Sequence, residues 1–288
     1  MYRLLEKAQS LIFRFDAEAE CYCRAYKGAV DASKVYIIPN GYEGAIDEFT
    51  PPKAEKCELL YTGTLFDYRF DTFLQGVAAL KRSSPEIAKR LHVRFIGEGT
   101  DGIARQVAQL DFSELVEAQG PTSQAEVTKL MRQAHALLIL GRPSTMRGYE
   151  LFAAAKLYGY IKAGMPIIGV VPADETRNVL LRIGVSTVAD VDSPVEVAAA
   201  LTKLVDAWSQ NKLADLVPDR VRCQIYSAEH QVGELTRALG GLPAAEPFVP
   251  GRTEVPASLR LHVNKRMRES EQRISIGTPK KMITRPEA

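Results

Sequence analysis

The fold of this chain is decided by residues 149–172, which read YELFAAAKLYGYIKAGMPIIGVVP. Apolar residues recur three or four positions apart over Leu151–Ile161, and this spacing predicts a helix. Gly164 ends the predicted helix, because glycine tolerates the positive φ of a helix C-terminus. Pro166 then opens the run IIGVV, which is typical of a buried parallel strand. A helix that leads directly into a buried strand is half of an α/β crossover.

The start of this helix, near Ala153–Lys156, is expected to present free backbone N–H groups and the positive end of the helix dipole. A diphosphate or similar anion would be held there, and the Lys156 ammonium would add a positive charge. The alternative is an ordinary crossover helix with a solvated lysine and no ligand.

Strands and helices alternate on both sides of this segment. Such alternation predicts an α/β fold, a doubly wound parallel sheet with helices on both faces. The other predicted strands are 58–63, 92–97, 115–120, 136–141 and 186–188. The other predicted helices are 72–83, 103–110, 124–133, 175–183, 194–210 and 228–239.

Three segments are expected along the chain. Residues 1–33 carry an amphipathic helix over Leu4–Tyr26, whose apolar residues share one broad face. Residues 34–240 form the Rossmann-like domain with its closing helix. Residues 241–288 shift to Pro, Gly, Arg and Lys with little apolar periodicity, and we expect them to be mostly disordered.

Composition narrows the class of protein. The chain has 288 residues, 46% of them hydrophobic and 25% charged, as in soluble globular proteins. It has no apolar run of roughly 18 residues, so we expect no membrane span. Its four cysteines include no C-x-x-C pair, which disfavours a zinc site and indicates the reducing cytoplasm. Nine basic and four acidic residues follow from Gly251, so the remainder is mildly acidic and no nucleic-acid partner is expected.

The first glycine turn that carries chemistry is Gly63-Thr64-Leu65, with Arg69 shortly after it. A strand that ends in glycine lets the backbone approach a ligand at the carboxyl edge of a parallel sheet. The planar guanidinium of Arg69 would then contact two phosphate oxygens at once. The alternative is a surface arginine in a loop.

The second turn, Gly97–Gly102, has the spacing G-x-G-x-x-G between a strand and a helix, and Glu117 lies twenty residues after Gly97. This is the dinucleotide fingerprint with an acid placed for a ribose, so an NAD-binding Rossmann protein is one alternative. Two details disfavour it. The turn follows the second strand of the series, and Glu98 and Asp101 would put carboxylates beside a pyrophosphate. None of the four histidines has a neighbour at metal-ligand or catalytic spacing, and His135 is expected to be structural.

Six segments, taken in order, carry a resemblance to a known family. They are VYIIPNGY (35–42), LLYTGTLFDYRFDTFLQGVAAL (59–80), VRFIGEG (93–99), VEAQGPTSQAEVTKLMRQAHALLIL (116–140), AKLYGYIKAGMPIIGVVP (155–172) and the later VLLRIGVSTVADVDSPVEVAAALTKL. The series resembles the nucleotide-sugar-binding half of family-4 glycosyltransferases, retaining enzymes of the GT-B fold.

The resemblance implies a donor site with departures from the family pattern. Gly63 is kept, Thr64 replaces the arginine that grips the diphosphate, and Arg69 stands at the lysine position. The family carries two glutamates eight residues apart. Here the first position falls on Leu151, with Glu150 one place away, and the second falls on Gly159. No catalytic residue is assigned. The implied donor-binding residues are Gly63, Thr64, Arg69, Glu150, Lys156 and Gly159.

The resemblance further implies retaining transfer of a sugar from a nucleoside diphosphate sugar, with no metal and no cofactor besides the donor. Family members place the acceptor on an N-terminal domain, of which residues 1–33 look like the end. We therefore expect the acceptor side to come from a separate polypeptide or from self-association. The alternative is a non-catalytic remnant that binds a nucleotide or a partner.

Overall fold

The computed structural model describes residues 1–66, 68–110, 112–143 and 152–252. Contacts divide the chain into two compact units. The smaller comprises Met1–Ile37 and, of the described residues, those from Arg237 to Arg252; the larger is Ile38–Thr236.

The larger unit is built on a six-stranded sheet in which every pair of neighbours is parallel. Its strands are β3 (Cys57–Thr62), β4 (Leu91–Ile96), β5 (Val116–Gln119), β6 (Ala136–Leu140), β7 (Ile167–Val171) and β8 (Val188–Asp190). The spatial order is β5-β4-β3-β6-β7-β8. The chain thus runs outward from β3 in one direction and then returns to its other side. This is the doubly wound order, and it confirms the predicted fold class.

Helices cover both faces of this sheet. The helices that follow β3 along the chain are α3 (Phe70–Ser83), α4 (Pro85–Ala88), α5 (Asp101–Gln109), α6 (Gln124–Gln133), α7 (Lys156–Ala163), α8 (Glu175–Arg182), α9 (Pro194–Ser209), α10 (Arg220–Cys223) and α11 (Ala228–Gly240). One apolar core lies between the sheet and α3, α5 and α9, and a second lies between the sheet and α6, α7 and α8. Every residue of β6 and β7 is buried, as expected for central strands covered on both faces.

Local sequence explains where several helices begin. The Ser123 side chain accepts a hydrogen bond from the Glu126 N–H at the start of α6, and Ser193 does the same for Glu196 at the start of α9. Such caps satisfy backbone donors that the first turn leaves unpaired. The predicted bounds of α6 are confirmed, whereas β8 lies two residues later than its predicted position.

The smaller unit differs from the single helix predicted over residues 4–26, and that prediction is wrong. The segment forms α1 (Tyr2–Lys7), β1 (Leu11–Phe13) and α2 (Asp16–Ala25). β1 pairs in parallel with β2 (Val35–Ile37), so β1, α2 and β2 make one crossover. The apolar triplet Leu-Ile-Phe fits helical spacing, but pairing with a distant strand outweighs that local preference.

Residues 241–252, the described part of the predicted tail, are mostly exposed, but they contact the smaller unit at Phe248 and Gly251. Phe248 is 7% exposed and lies in an apolar cluster with Phe13, Ala19 and Val35. The Gly251 N–H donates to the Glu20 carboxylate at 2.7 Å. The rest of the predicted tail, residues 253–288, lies outside the described residues.

Within the described ranges, no helix is long and apolar enough to cross a membrane. No three His, Cys, Asp or Glu side chains in the same ranges group as metal ligands. All four cysteines are free thiols.

Candidate functional site

The candidate site lies where β3 and β6 end side by side, which is the point where the strand order reverses. Doubly wound proteins bind ligands in the crevice at this point, because the loops on its two sides diverge. Gly63 follows β3 and Gly141 follows β6. The Arg69 N–H donates to the Gly141 carbonyl at 3.2 Å, so the loop after β3 is tied to the end of β6.

Gly63 and Gly97 bring two strand ends into backbone contact. Their φ angles are +116° and +144°, which favour glycine. A Cβ on Gly97 would lie 2.1 Å from the Gly63 carbonyl oxygen. Gly97 is therefore required by the close approach of the two turns, and it leaves no space there for a ligand.

The other glycines of the 97–102 turn face aromatic rings. A Cβ on Gly99 would lie 3.1 Å from the Phe66 ring, and one on Gly102 would lie 3.0 Å from the Phe70 ring. Glu117 makes an ion pair with Arg94 at 3.2 Å. These packing contacts account for the glycine spacing and give no support to the NAD alternative.

Lys156, the first residue of α7, reaches the end of β3. Its ammonium donates to the Thr62 carbonyl at 2.9 Å and lies 3.8 Å from the centre of the Tyr61 ring. The Tyr68 ring centre is 5.3 Å away. A Cβ on Gly63 would lie 2.9 Å from Nζ, so the ammonium sits directly beside the glycine turn.

The environment of Lys156 leaves its charge poorly compensated. Burial lowers the pKa of Lys156 to about 7, because removal from water disfavours the charged form. Within the described part of the chain, no carboxylate lies within ion-pair distance of Nζ. An anion bound here would be attracted by the Lys156 ammonium, and its negative charge would in turn favour the protonated state of Lys156.

Arg69 is in the predicted region, but its guanidinium already has acidic neighbours. Nε lies 3.2 Å from Asp71 and Nη1 lies 3.7 Å from Asp192. Nη2 donates to the Thr72 hydroxyl at 3.4 Å. With its side chain only 33% exposed, Arg69 contributes less free positive charge to the site than the sequence suggests. Its contact with a phosphate stays a prediction.

The other predicted site residues are Thr64, Gly159 and Glu150. Thr64 is exposed after Gly63, and its carbonyl accepts from the Tyr61 hydroxyl at 2.8 Å. Gly159 is exposed within α7, and a Cβ there would meet no atom within 4 Å. Glu150 lies outside the described residues.

The helix start differs from its predicted position. α7 begins at Lys156, so the helical spacing read through Phe152–Ala155 is wrong for those residues. The Ala154 N–H donates to the Thr176 hydroxyl at 3.1 Å and is not free for an anion. Gly164 ends the helix at φ +63°, as predicted.

Sequence reasoning missed several residues at this edge. Tyr61 and Tyr68 flank the Lys156 ammonium, and the guanidinium of Arg142 lies 4.5 Å from the centre of the Phe152 ring. Phe66 is 72% exposed over the turn that follows β4. The position of Arg142 two residues after a buried strand was a usable signal, because such positions line the carboxyl edge.

His135 is structural, as predicted. Its Nδ1 accepts from the Glu58 N–H at 2.9 Å, and its Nε2 bonds to the Pro52 carbonyl at 2.9 Å. Burial lowers the pKa of His135, which is consistent with a neutral ring that accepts through one nitrogen and donates through the other.

No protein-family model matches the sequence. No curated protein matches it at a significant level. The structure, however, matches solved glycosyltransferases. It is similar to the pneumococcal O-GlcNAc transferase GtfA in complex with UDP and GlcNAc, with a TM-score of 0.54 and 16% identity over 83% of this chain and 46% of that one.

Two further matches agree. Sucrose-phosphate synthase from Thermosynechococcus elongatus has a TM-score of 0.56 at 17% identity, with 83% of this chain and 60% of that one covered. Anabaena Alr3699/HepE in complex with UDP and glucose has a TM-score of 0.56 at 13% identity, with 84% and 66% covered.

This chain spans about half to two thirds of the length of these proteins. At such low identity the likeness establishes the fold alone. The six-stranded parallel sheet and its helices therefore have the fold of one Rossmann-like half of a GT-B glycosyltransferase.

Proposed function

We propose that the chain binds a nucleoside diphosphate sugar at the carboxyl edge of β3 and β6 and serves as the donor half of a retaining sugar transfer. The observation that carries this proposal is the Lys156 ammonium, half-buried beside Gly63 with no carboxylate at ion-pair distance among the described residues. The fold likeness to enzymes solved with UDP supports the choice of ligand. The four free cysteines support a cytoplasmic setting.

Lys156 would contact the diphosphate of the donor. When the bond between the sugar and the diphosphate breaks, negative charge grows on the departing phosphate oxygens. An ammonium held in place before the reaction stabilises that charge without reorganisation. Thr64 and Arg69 would lie beside the same group, and the exposed ring of Phe66 would offer a flat surface to the nucleobase on the β4 side.

The first test is calorimetry with UDP, GDP and ADP on the wild-type chain and on Lys156→Met. We expect at least one nucleotide to bind, and we expect the variant to lose tenfold or more, since a charge-assisted contact contributes about 1.5–3 kcal/mol. Lys162→Met is the matched control, because Lys162 lies on the same helix and pairs with Asp47 at 2.9 Å. Absence of binding by all three nucleotides, or equal binding by Lys156→Met, would refute the site.

Protonation gives a second readout of the same contact. Because the pKa of Lys156 is lowered to about 7, its amine is only partly protonated at neutral pH in the ligand-free protein. Binding of an anion raises the protonated fraction. Wild-type binding should therefore take up protons near pH 8, measured as a dependence of the heat on the ionisation enthalpy of the buffer. Lys156→Met should show no such uptake.

The second candidate function is nucleotide binding without sugar transfer. Arg69 is engaged by two aspartates, and Gly159 has no side chain to accept a hydrogen bond from a ribose hydroxyl. Both features favour binding over turnover. An assay of sugar transfer by the purified chain, alongside the calorimetry, separates the two: binding without turnover supports this candidate, and turnover onto an added acceptor supports the first.

A further inference from the structure

A second cavity lies at the opposite, amino edge of the large sheet. It has a volume of about 480 Å³, and its lining includes Lys53, Arg90, Trp208 and Asn211. Lys53 precedes β3, Arg90 immediately precedes β4, and Trp208 is near the end of α9. A strand of six residues separates this edge from Gly63 by about 20 Å, so the two sites are distinct.

The central carbon of the Arg90 guanidinium lies 5.2 Å from the centroid of the Trp208 ring, which is a cation–π contact. Arg90 is exposed, so its N–H groups remain accessible to a ligand. The indole is itself held by the His135 ring, which meets it edge to face at 5.8 Å. The contact with a held indole restricts the Arg90 side chain before any ligand arrives, which reduces the entropy cost of binding.

The charges around this cavity have one sign. Lys53 and Arg90 are both cationic, and none of the described residues that line the cavity is acidic. Neither cation makes an ion pair with another described residue. The indole, Pro52 and Leu213 supply an apolar wall beside them. The volume falls in the range of small-molecule sites, roughly 300–1,000 Å³.

We propose that this cavity binds a small organic anion: a phosphate or carboxylate head held by Arg90 and Lys53, with an apolar body against Trp208. The planar fork of Arg90 matches two oxygens of either head group. The proposal does not rest on the donor site at the other edge of the sheet.

Trp208 is the only tryptophan of the chain, so its fluorescence reports on this cavity directly. Cyclohexyl phosphate is a suitable probe, because it does not absorb in the tryptophan range. We expect a saturable change in Trp208 emission, with weaker binding of inorganic phosphate and of cyclohexanol, which each supply one half of the probe. Arg90→Ala should weaken binding of the probe at least tenfold. Arg90→Lys keeps the charge without the planar fork, and its affinity should lie between those of the wild type and Arg90→Ala.

Arg105→Ala is the matched control, because Arg105 is an exposed arginine on α5 outside the cavity lining. It should bind the probe as the wild type does, and so should Lys156→Met. The proposal is overturned if emission does not saturate, if Arg90→Ala binds unchanged, or if Arg105→Ala loses as much affinity. Equal binding of cyclohexanol would also overturn it, because the anion would then contribute nothing.

Discussion

At the scale of single residues, burial decides which charges this fold can hold at neutral pH. Lys156 and Asp174 are both withdrawn from water, and their pKa values move toward each other, each to about 7. Lys156 lies where a ligand could compensate its charge. Asp174 is 2% exposed and caps α8, where its carboxylate accepts from the Arg177 N–H at 3.0 Å.

Asp174 should make stability depend on pH. Its pKa is about 7 in the fold against an ordinary 3.8, so the folded state holds the proton more tightly than the unfolded chain. The stabilisation is complete below about pH 4 and is lost as the pH rises to 7. The Asn side chain of Asp174→Asn still caps α8 and stays neutral at every pH. We therefore expect its free energy of unfolding at pH 8 to exceed that of the wild type by on the order of 2–4 kcal/mol.

The measurement is urea unfolding at pH 4.5 and pH 8. Asp219→Asn serves for comparison, because Asp219 caps α10 with a side chain that is 45% exposed. It should show no gain at pH 8. If Asp174→Asn gained equally at both pH values, its effect would not come from the charge.

The residues of the candidate site could be predicted from the sequence only where their role follows from a strand end or a helix start beside them in the chain. Gly63 and Lys156 stand out because they end a strand and begin a helix beside it. The engagement of Arg69 by Asp192 joins positions more than a hundred residues apart, and no spacing in the sequence indicates it. The same is true of the two tyrosines around Lys156, which look like ordinary core residues in a buried strand and a loop.

At the scale of elements, α7 shows how glycine acts differently at two places in one segment. Gly159 is in the helix interior with open space beside it, whereas Gly164 ends the helix at φ +63°. A Cβ on Gly164 would lie 2.3 Å from the Asp47 carbonyl oxygen. The first glycine therefore costs helix stability, and the second is required.

Gly159→Ala should raise the free energy of unfolding by about 0.5–1 kcal/mol, because alanine loses less backbone entropy in a helix. Gly164→Ala should lower it by at least about 1 kcal/mol, because the left-handed conformation and the contact with Asp47 both oppose a side chain. Denaturant unfolding of the two variants measures both effects. A loss of stability in Gly159→Ala would show that this face of α7 is packed in solution.

Element type was predictable wherever local pattern and burial agree, as in α6, β6 and β7. It failed in residues 4–26, because the apolar positions of β1 fit a helix as well as a strand. Only the pairing of β1 with β2 distinguishes the two, and that contact is not local. The late start of α7 has a comparable cause, since the Ala154 N–H bonds to Thr176 on a following helix.

At the scale of the whole molecule, the smaller unit is assembled from both ends of the described chain. Phe248 is buried among Phe13, Ala19 and Val35, and the Glu20 carboxylate accepts from the Gly251 N–H. The sequence could not indicate this packing, because the few apolar residues of 241–252 stand among prolines and glycines and show no periodicity.

Phe248→Ala should destabilise the smaller unit by about 3 kcal/mol, the low end for a buried aromatic truncated to alanine. Hydrogen exchange of the β2 amides measures it locally. Val249→Ala is the control, because Val249 is 52% exposed, and it should leave exchange unchanged. A variant truncated after Arg252 should keep the protection of the β2 amides from exchange, and a variant truncated after Gly240 should lose it. Equal protection in the two variants would contradict the packing of Phe248.

The position of Phe248 also sets an order of events during synthesis. The β1-α2-β2 crossover leaves the ribosome before the larger unit, and more than two hundred residues must follow Ile37 before Phe248 is made. At roughly 5–20 residues per second, the newborn crossover waits roughly 10–40 s with its apolar pocket open. The larger unit has its last strand at Val188–Asp190, so its whole sheet is synthesised within that interval. The crossover precedes the larger unit along the chain but is completed after it, and its apolar pocket stays exposed to solvent in the meantime.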